Sequence, residues 1–503
     1  MNGGSRVQNT SRNIITGLTN KIILLILSFV SRKVFIQFIG VEYLGINSLF
    51  ANVLTILSLA DMGFGIAMSY SYYKPLAEND EEKLAALVQF YKRIYNIIAS
   101  VVALAGICIL PFLKYIINMD KQIDYIYIYY VIALANTVIS YLFVYKSNII
   151  SADQKSYLIN RLQLWVSIGK MIVQMGCVIF FKNYMVYTII DVLATLLNNI
   201  LISNTANKLY PFINKKNNAL LDKKSQKDIF LNMKSVFLYK FSASIMSGTD
   251  SIIMSTIVDT TIVGMYSNYL TLTSQITSFV QIVFSSFTAS IGNLVIENEC
   301  KKNYDVFRIM QMISHIMSGI VCVCLLVLAN DFVELWLGIE YNMGKTMAFA
   351  IATNTYFTIA MQPIWSYREA TGLYNKTKYV MVATAGVNIV LSIIMGLYFG
   401  APGIVFATVL ARLSTYFWYE PYLVYKLYFK QKAVGYYLNF VISIVLIFLS
   451  YIATEKVFSM FKINGWFGWI VHAALTCCIT GSFYFVRYVW TDEFKMCINK
   501  MRR

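Results

Sequence analysis

Long apolar segments alternate with short polar, lysine-rich segments along the whole sequence. Most apolar segments hold about twenty residues or more, the length that an α-helix needs to cross the hydrocarbon core of a bilayer. The pattern therefore predicts about fourteen transmembrane helices. The predicted spans are 13–39, 45–72, 84–112, 124–148, 158–181, 185–207, 234–258, 262–291, 305–329, 345–369, 377–399, 402–428, 434–455 and 465–489.

Composition supports a membrane protein, because 58% of the residues are hydrophobic and only 13% are charged. A soluble domain usually carries about a quarter charged residues, so this chain has too few polar side chains to cover a water-exposed surface. Helices satisfy their own backbone hydrogen bonds inside lipid. We therefore predict an all-α polytopic membrane protein with about 14 transmembrane helices.

The connections between the spans leave no room for a soluble catalytic domain, since none exceeds about 30 residues. No GxxxxGK[ST] phosphate loop is present, so the chain is not expected to hydrolyse ATP. A membrane-bound acyl- or glycosyltransferase would need a His, Asp or Glu motif at a membrane surface, and the sequence shows none. The two histidines, His315 and His472, are too few for a metal cluster. We expect neither an enzyme nor a cofactor.

The net charge of +17 would suggest a nucleic-acid partner for a soluble protein. Here the basic residues lie between the apolar segments, so they indicate orientation, and no nucleic-acid partner is expected. With the N-terminus inside, about 31 of the 42 basic residues fall on the inner side. Both termini and the lysine-rich connection 208–233 are therefore predicted to be cytoplasmic, and that connection is also a candidate for contact with anionic membrane lipids.

The two halves of the chain match at one offset of 219 positions. The matched residues are Asn13 and Asn232, Lys21 and Lys240, Ser28 and Ser247, Gly45 and Gly264, and Ser48 and Ser267. Such duplications are common in transporters, which place the substrate path between the repeats. We predict two pseudo-symmetric six-helix lobes plus two C-terminal helices. The predicted boundaries are 1–207 for the first lobe, 208–233 for a basic cytoplasmic linker, 234–428 for the second lobe, and 429–503 for two extra helices and a basic cytoplasmic tail.

Polar side chains form stripes along four of the predicted spans. The first span carries Gly17, Lys21, Ser28 and Arg32 at spacings that put them on one helix face. The other stripes comprise Ser48, Asn52 and Thr55; Lys240, Ser244, Ser247 and Ser251; and Thr271, Ser274, Ser278, Gln281 and Ser285. Two interpretations stay open for the hydroxyl stripes, namely interhelical hydrogen bonds and a water-filled path. For Lys21 and Lys240 the alternative is snorkelling to the inner membrane surface.

Ionisable residues inside a span usually face a cavity or a partner. Lys170 and Arg412 lie near the middle of their predicted spans, and Asp61 and Asp250 are among the carboxylates at membrane depth. Cations outnumber anions on the first and seventh spans, which suits a phosphate or pyrophosphate group. The predicted substrate-binding cations are Lys21, Arg32, Lys240, Lys170 and Arg412. The predicted polar lining or coupling residues are Asp61, Asp250, Asn52, Ser247, Ser278 and Gln281.

Five segments resemble one family of bacterial membrane transporters. Arg32–Phe50 and Leu57–Gly63 resemble the start of the polysaccharide-biosynthesis flippases, the Wzx-type transporters of O-antigen and capsule repeat units. Ala152–Tyr157 resembles the connection between their fourth and fifth helices, and Thr249–Ser255 and Val263–Ser267 resemble their seventh and eighth helices. The similarity covers nearly the whole chain, although these motifs are diffuse and carry no catalytic signature.

The resemblance implies membership in the multidrug/oligosaccharidyl-lipid/polysaccharide exporter superfamily. It further implies two six-helix lobes around a cavity that opens alternately to each side of the bacterial cytoplasmic membrane. The implied substrate is a polyprenyl-pyrophosphate-linked oligosaccharide, passed to the outer leaflet for the polysaccharide polymerase machinery. The family's basic cavity residues correspond best to Lys21, Arg32 and Lys240, whereas Lys170 and Arg412 are added from their position in the spans.

The main alternative is a multidrug or organic-cation antiporter of the same superfamily. Such exporters usually have about twelve helices, whereas the lipid II flippases have about fourteen and a basic cavity. A cation antiporter would also need carboxylates as the dominant charge of its cavity. The predicted number of spans and the excess of cations favour the lipid-linked substrate.

Overall fold

The computed structural model describes residues 3–58, 64–214, 223–296, 300–460 and 463–501, and these ranges contain helices and turns but no β-strand. The chain divides into two compact units, Met1–Gly264 and Met265–Arg503. The predicted lobe boundaries at 207 and 234 stay a prediction.

The described part of the first unit is built from helices joined by short turns. Its helices are α1 (Gly3–Phe38), α2 (Val41–Leu57), α3 (Phe64–Glu78), α4 (Glu81–Ile109), α5 (Leu113–Ile116), α6 (Ile126–Tyr141), α7 (Val144–Ala152), α8 (Ser156–Phe181), α9 (Tyr184–Leu209), α10 (Lys223–Ile257) and the start of α11 (Thr260–Ile296). α1 packs along α8, α8 pairs with α9, and α10 packs along α2.

The second unit holds the remainder of α11 and the helices that follow it. These are α12 (Cys300–Trp336), α13 (Gly344–Ala360), α14 (Gln362–Thr371), α15 (Tyr374–Ser414), α16 (Tyr416–Val424), α17 (Val434–Met460), α18 (Gly465–Tyr488) and α19 (Asp492–Met501). A π-helical turn, Tyr425–Phe429, follows α16. α12 is central to this unit, because α13, α17 and α18 all pack against it.

Among the described residues, seven helical segments are long and apolar enough to cross a membrane. They are Glu81–Ile116, Ser156–Phe181, Tyr184–Leu209, Cys300–Trp336, Tyr374–Phe429, Val434–Met460 and Gly465–Tyr488. α6 and α7 together make a further candidate span that is bent by 41°. The prediction of an all-α polytopic membrane protein is confirmed, whereas the number fourteen stays a prediction.

Several predicted spans are broken rather than continuous. The span 45–72 consists of α2, which ends at Leu57, and α3, which begins at Phe64. Ser58 leaves the helical region with ψ of 47°, and its hydroxyl donates to the carbonyl of Leu54 at 2.6 Å, a local bond that competes with the helical ladder. The dipeptide Lys74-Pro75 predicts a hairpin break. The turn lies instead at Asn79, which adopts the left-handed conformation that asparagine tolerates.

Proline and glycine explain two further breaks in the second unit. The predicted span 345–369 is divided at Met361, and Pro363 lies in the first turn of α14, where no intrahelical N–H donor is needed. The sequence Gly400-Ala401-Pro402 predicts another break. This prediction is confirmed, because Gly400 has φ of 63° and ψ of −148° inside α15. Glycine occupies positive φ without the steric cost of a Cβ atom.

The matched glycines of the sequence repeat touch each other at the N-terminal ends of α2 and α11. A Cβ atom on Gly45 would collide with the carbonyl oxygen of Thr260 and lie 3.3 Å from the backbone nitrogen of Gly264. A Cβ atom on Gly264 would collide with the carbonyl oxygen of Val41 and lie 2.9 Å from the backbone nitrogen of Gly45. Small residues allow such close helix approach in membranes.

Candidate functional site

Two predicted cations, Lys21 and Arg32, lie on α1. Both side chains are half-buried. Next to Lys21, the side-chain amide of Asn20 donates to the carbonyl of Asn160 at 2.7 Å, which ties this level of α1 to α8. Arg32 interacts electrostatically with Tyr187 of α9, whose ring packs on Phe35 with centroids 4.8 Å apart. The two cations are eleven positions apart in one continuous helix, so their Cα atoms lie about 16 Å apart along its axis.

The third matched cation, Lys240, lies on α10 and is half-buried. Within the described part of the chain it forms no hydrogen bond or ion pair. Ser247 is exposed on the same helix, and its hydroxyl donates to the carbonyl of Ser244 at 3.2 Å. Lys240 is thus a half-buried cation without a compensating carboxylate among the described residues.

The structure joins Asn52 of α2 to the segment of α10 that carries Asp250. The side-chain amide of Asn52 donates to the Ser251 hydroxyl at 3.0 Å. Gly248 allows this approach, because a Cβ atom there would lie 2.9 Å from Ile56 and 3.4 Å from the carbonyl of Asn52. Asp250 is 5% exposed. The predicted polar faces of the second and seventh spans therefore meet, partly through the interhelical hydrogen bonds that were one of the two interpretations.

Lys170 has a partner that accounts for its position inside a span. Its ammonium lies 2.8 Å from a carboxylate oxygen of Asp191 on α9. The other oxygen of that carboxylate accepts a hydrogen bond of 2.8 Å from the Asn136 amide on α6. This three-helix polar cluster neutralises both charges, as expected of ionisable groups at membrane depth.

Arg412 lies in the second unit and is 9% exposed. One guanidinium nitrogen donates to the Thr358 hydroxyl at 2.8 Å and to the carbonyl of Asn354 at 3.4 Å, both on α13. Its Nε atom has no partner among the described residues. A buried guanidinium that binds only neutral groups keeps its charge available to an anion, which distinguishes Arg412 from Lys170.

The remaining predicted residues fall into two groups. Ser278 and Gln281 lie on α11 in the second unit, where Gln281 is exposed and Ser278 is half-buried. Asp61 lies outside the described residues.

Sequence reasoning missed the partners of the buried cations. Asp191 lies within the predicted span 185–207, but the sequence analysis did not pair it with Lys170. A signal was available, since both residues lie inside consecutive antiparallel spans, where opposite charges compensate each other. No comparable signal identifies Asn136, Thr358 or Asn354, because uncharged polar residues are frequent in these helices.

Comparisons with known proteins agree with this architecture. No family model matches the sequence, and no curated protein matches it. Among solved structures, the inward closed conformation of the lipid II flippase MurJ has a TM-score of 0.64 and 16% identity, covering 95% of this chain and 100% of that chain. An inward-facing multidrug resistance transporter of the MATE family, of the MOP superfamily, has a TM-score of 0.58 and 15% identity over 80% of this chain and 94% of its own.

A mutant form of the Vibrio cholerae transporter VcmN, also of the MATE family, gives a TM-score of 0.55 and 14% identity over 82% of this chain and 95% of its own. Identities this low establish the fold alone. The chain therefore has the fold that the lipid II flippase shares with the MATE transporters, an all-α membrane architecture.

Proposed function

We propose that this protein is a flippase, which moves polyprenyl-pyrophosphate-linked oligosaccharide repeat units from the cytoplasmic to the outer leaflet by alternating access. One observation carries the proposal. The lipid II flippase covers 95% of the chain, whereas the MATE transporter covers 80%. The difference is about 75 residues, the length of the predicted two-helix extension 429–503. This difference in coverage supports the proposal, because the sequence also predicts two helices after the second lobe.

The cations of the first unit supply the proposed chemistry. Lys21, Arg32 and Lys240 lie on α1 and α10, the first and seventh predicted spans. Charge-assisted hydrogen bonds to a pyrophosphate are worth roughly 1.5–3 kcal/mol each. Because Lys21 and Arg32 lie about 16 Å apart along the axis of α1, we propose that the pyrophosphate meets Lys21 first and Arg32 later, rather than both at once.

The other proposed residues have supporting roles. Asn52, Ser247, Ser278 and Gln281 would line the path with neutral hydrogen-bonding groups, and Arg412 would offer its buried guanidinium. Lys170 is the weakest of the proposed cations, because Asp191 already neutralises it. In this proposal the exported repeat unit becomes the substrate of a polymerase on the outer side of the cytoplasmic membrane.

Gene deletion combined with lysine substitutions tests the proposal. A deletion strain should accumulate lipid-linked repeat units and lose surface polysaccharide. Lys21→Ala and Lys240→Ala should each impair export at unchanged protein abundance, and arginine at either position should retain more activity because it keeps the charge.

Lys33→Ala is the matched control, since Lys33 lies next to Arg32 on α1 but is exposed. This variant should restore export to the deletion strain as well as the wild-type protein does. Full export by the Lys21→Ala/Lys240→Ala double variant would contradict the proposed pyrophosphate contacts and leave snorkelling as the role of both lysines.

A multidrug or organic-cation antiporter is the second candidate, and the buried carboxylate of Asp250 is the observation that favours it. An assay of the purified protein in liposomes distinguishes the two functions. The flippase should bind or move a polyprenyl-pyrophosphate oligosaccharide and should show no proton- or sodium-driven ethidium export. Ethidium export that depends on Asp250, with no response to the lipid-linked sugar, would establish the antiporter instead.

A further inference from the structure

A cavity of about 890 Å³ lies inside the second unit, between α12, α13, α15 and α17. Its volume falls in the range of small-molecule sites, about 300–1,000 Å³. Most of its lining is apolar. The apolar lining includes Leu326, Phe349, Phe357, Phe399, Phe406 and Phe448. None of the candidate residues for substrate transport lines it.

Exposed aromatic side chains lie on the open side of the cavity. Phe349, Phe399 and Phe448 are 52%, 68% and 62% exposed in the protein alone. The last two lie on segments that are long and apolar enough to span the membrane, Tyr374–Phe429 and Val434–Met460. Aromatic side chains exposed at that depth meet hydrocarbon, so an occupant of the cavity needs an apolar chain.

One end of the cavity carries exposed charges. Asp331 of α12, Lys345 of α13 and Glu455 of α17 all belong to the lining, together with Asn330 and Tyr451. Asp331 interacts electrostatically with both Glu455 and Lys345. None of the three forms an ion pair within the described ranges. The mouth therefore presents one ammonium and two carboxylates, each without an ion-pair partner there.

Tryptophans cluster beside this charged mouth, as expected for a position at the level of the lipid headgroups. The ring of Phe332, adjacent to Asp331, packs against Trp336, Trp466 and Trp469 with centroids 5.7, 5.7 and 5.3 Å apart. The Trp469 indole donates to the carbonyl of Leu328 at 3.2 Å. Tryptophan is enriched at the membrane–water interface, where its apolar ring and polar N–H are both satisfied.

We propose that this cavity is a binding site for one phospholipid with a primary-amine headgroup, namely phosphatidylethanolamine. The headgroup ammonium binds between the carboxylates of Asp331 and Glu455, and the phosphate binds the Lys345 ammonium. One acyl chain fills the apolar cavity. Two carboxylates and one ammonium complement a head that carries both charges, whereas an anionic head without the amine meets net repulsion. The site is independent of the proposed flippase function.

Lipid binding to the purified full-length protein tests the proposal. Native mass spectrometry should show preferential retention of phosphatidylethanolamine over phosphatidylcholine, which lacks N–H donors, and over phosphatidylglycerol, which lacks the cation. The Asp331→Asn/Glu455→Gln double variant should lose this preference by about tenfold. Phe399→Ala should weaken retention of all three lipids, because it removes part of the apolar wall.

Two control variants distinguish the effect of the cavity residues from that of nearby exposed residues. Glu340→Gln removes an exposed carboxylate, and Leu397→Ala removes an apolar side chain that is 68% exposed on α15, like Phe399. Neither residue lines the cavity, so both variants should retain the lipid as the wild type does. A photoactivatable phosphatidylethanolamine should label the cavity segments of α13 and α17, which reads out the site even if a variant folds poorly.

Two results would overturn the proposal. The first is equal retention of the three lipids, or a preference for phosphatidylglycerol, by the wild-type protein. The second is labelling of α13 and α17 that is displaced by a lipophilic cation such as tetraphenylphosphonium but not by phosphatidylethanolamine, which would identify a cation site.

Discussion

At the scale of single residues, backbone contact and charge compensation explain why particular side chains occupy this fold. Gly45 and Gly264 are small because α2 and α11 touch through their backbones. Lys170 is tolerated at membrane depth because it pairs with Asp191, whose carboxylate also accepts a hydrogen bond from Asn136. Both cases concern two or three residues from different helices, and both lead to a quantitative prediction.

Gly45→Ala should destabilise the protein by about 1–3 kcal/mol, the usual cost of overpacking a tight contact. The added Cβ atom collides with the carbonyl oxygen of Thr260, and backbone atoms cannot rotate away. Gly169→Ala on α8 is the control, since nothing lies within 4 Å of the added atom. It should be neutral or stabilising by up to about 1 kcal/mol, because alanine favours helix. Thermal unfolding in detergent measures both, and equal behaviour of the two variants would refute the close crossing.

Asp191→Asn and Lys170→Met should each destabilise the protein, whereas the double variant should recover part of the loss. Removing one partner leaves the other charge uncompensated at membrane depth. We expect about 1–3 kcal/mol for each single change, less than for a fully buried pair, because the side chains are 29% and 36% exposed. Additive losses in the double variant would mean that the pair contributes nothing. A double-mutant cycle of unfolding midpoints measures this coupling.

At the scale of elements, the C-terminal helix α19 shows how a short helix is held without a span of its own. The Arg308 guanidinium of α12 lies 2.7 Å from the Glu493 carboxylate and 3.9 Å from that of Asp492. Phe494 and Cys497 pack against the buried cluster that contains Met312, Tyr484 and Tyr488. The segment predicted as a basic tail thus begins with a helix docked on α12, through a charge pair and an apolar contact.

Acid should release α19. Burial by itself raises the pKa of Glu493, but a backbone hydrogen bond and the Arg308 guanidinium outweigh it and bring the pKa below its ordinary value of 4.5. A lowered carboxylate pKa stabilises the docked state above that ordinary value, and the stabilisation is lost as pH falls through the folded pKa. The mobility of a spin label at Lys495→Cys should therefore increase below about pH 4.5.

Two variants check this assignment. Glu493→Gln should already be mobile at pH 7 and should lose most of the pH dependence. Asp492→Asn is the control, because that carboxylate is 75% exposed and farther from Arg308. It should behave like the wild type, and a loss of pH dependence in this variant would show that Glu493 does not control docking.

At the scale of the whole molecule, the distribution of lysine and arginine predicts the orientation. Reporters fused near Lys224 and at the C-terminus should both give cytoplasmic signals, and a reporter near Asp331 should give an external signal. The last position also lies at the mouth of the proposed phospholipid site, which would then face the outer leaflet. An external signal at Lys224 would reverse the predicted orientation and the direction of the proposed transport.

The sequence by itself determined the features that depend on local hydrophobicity and local backbone preference. Apolar length predicted an all-α membrane protein, the resemblance pointed to the exporter fold, and Gly400 with Pro402 predicted a break that the structure contains. These signals are local, because a helix in lipid must satisfy its backbone within itself.

The tertiary structure decided which polar groups meet. The pairing of Lys170 with Asp191, the bond from Asn52 to Ser251 and the contact of Arg412 with Thr358 all join separate helices. The break after Leu57 and the cavity beside Phe399 were likewise not predicted. Hydropathy indicates how unfavourable each polar side chain is in lipid. Whether a carboxylate, an amide or a polar cavity compensates that side chain depends on how the helices rotate and pack. Contacts between side chains that are distant in the sequence determine this packing.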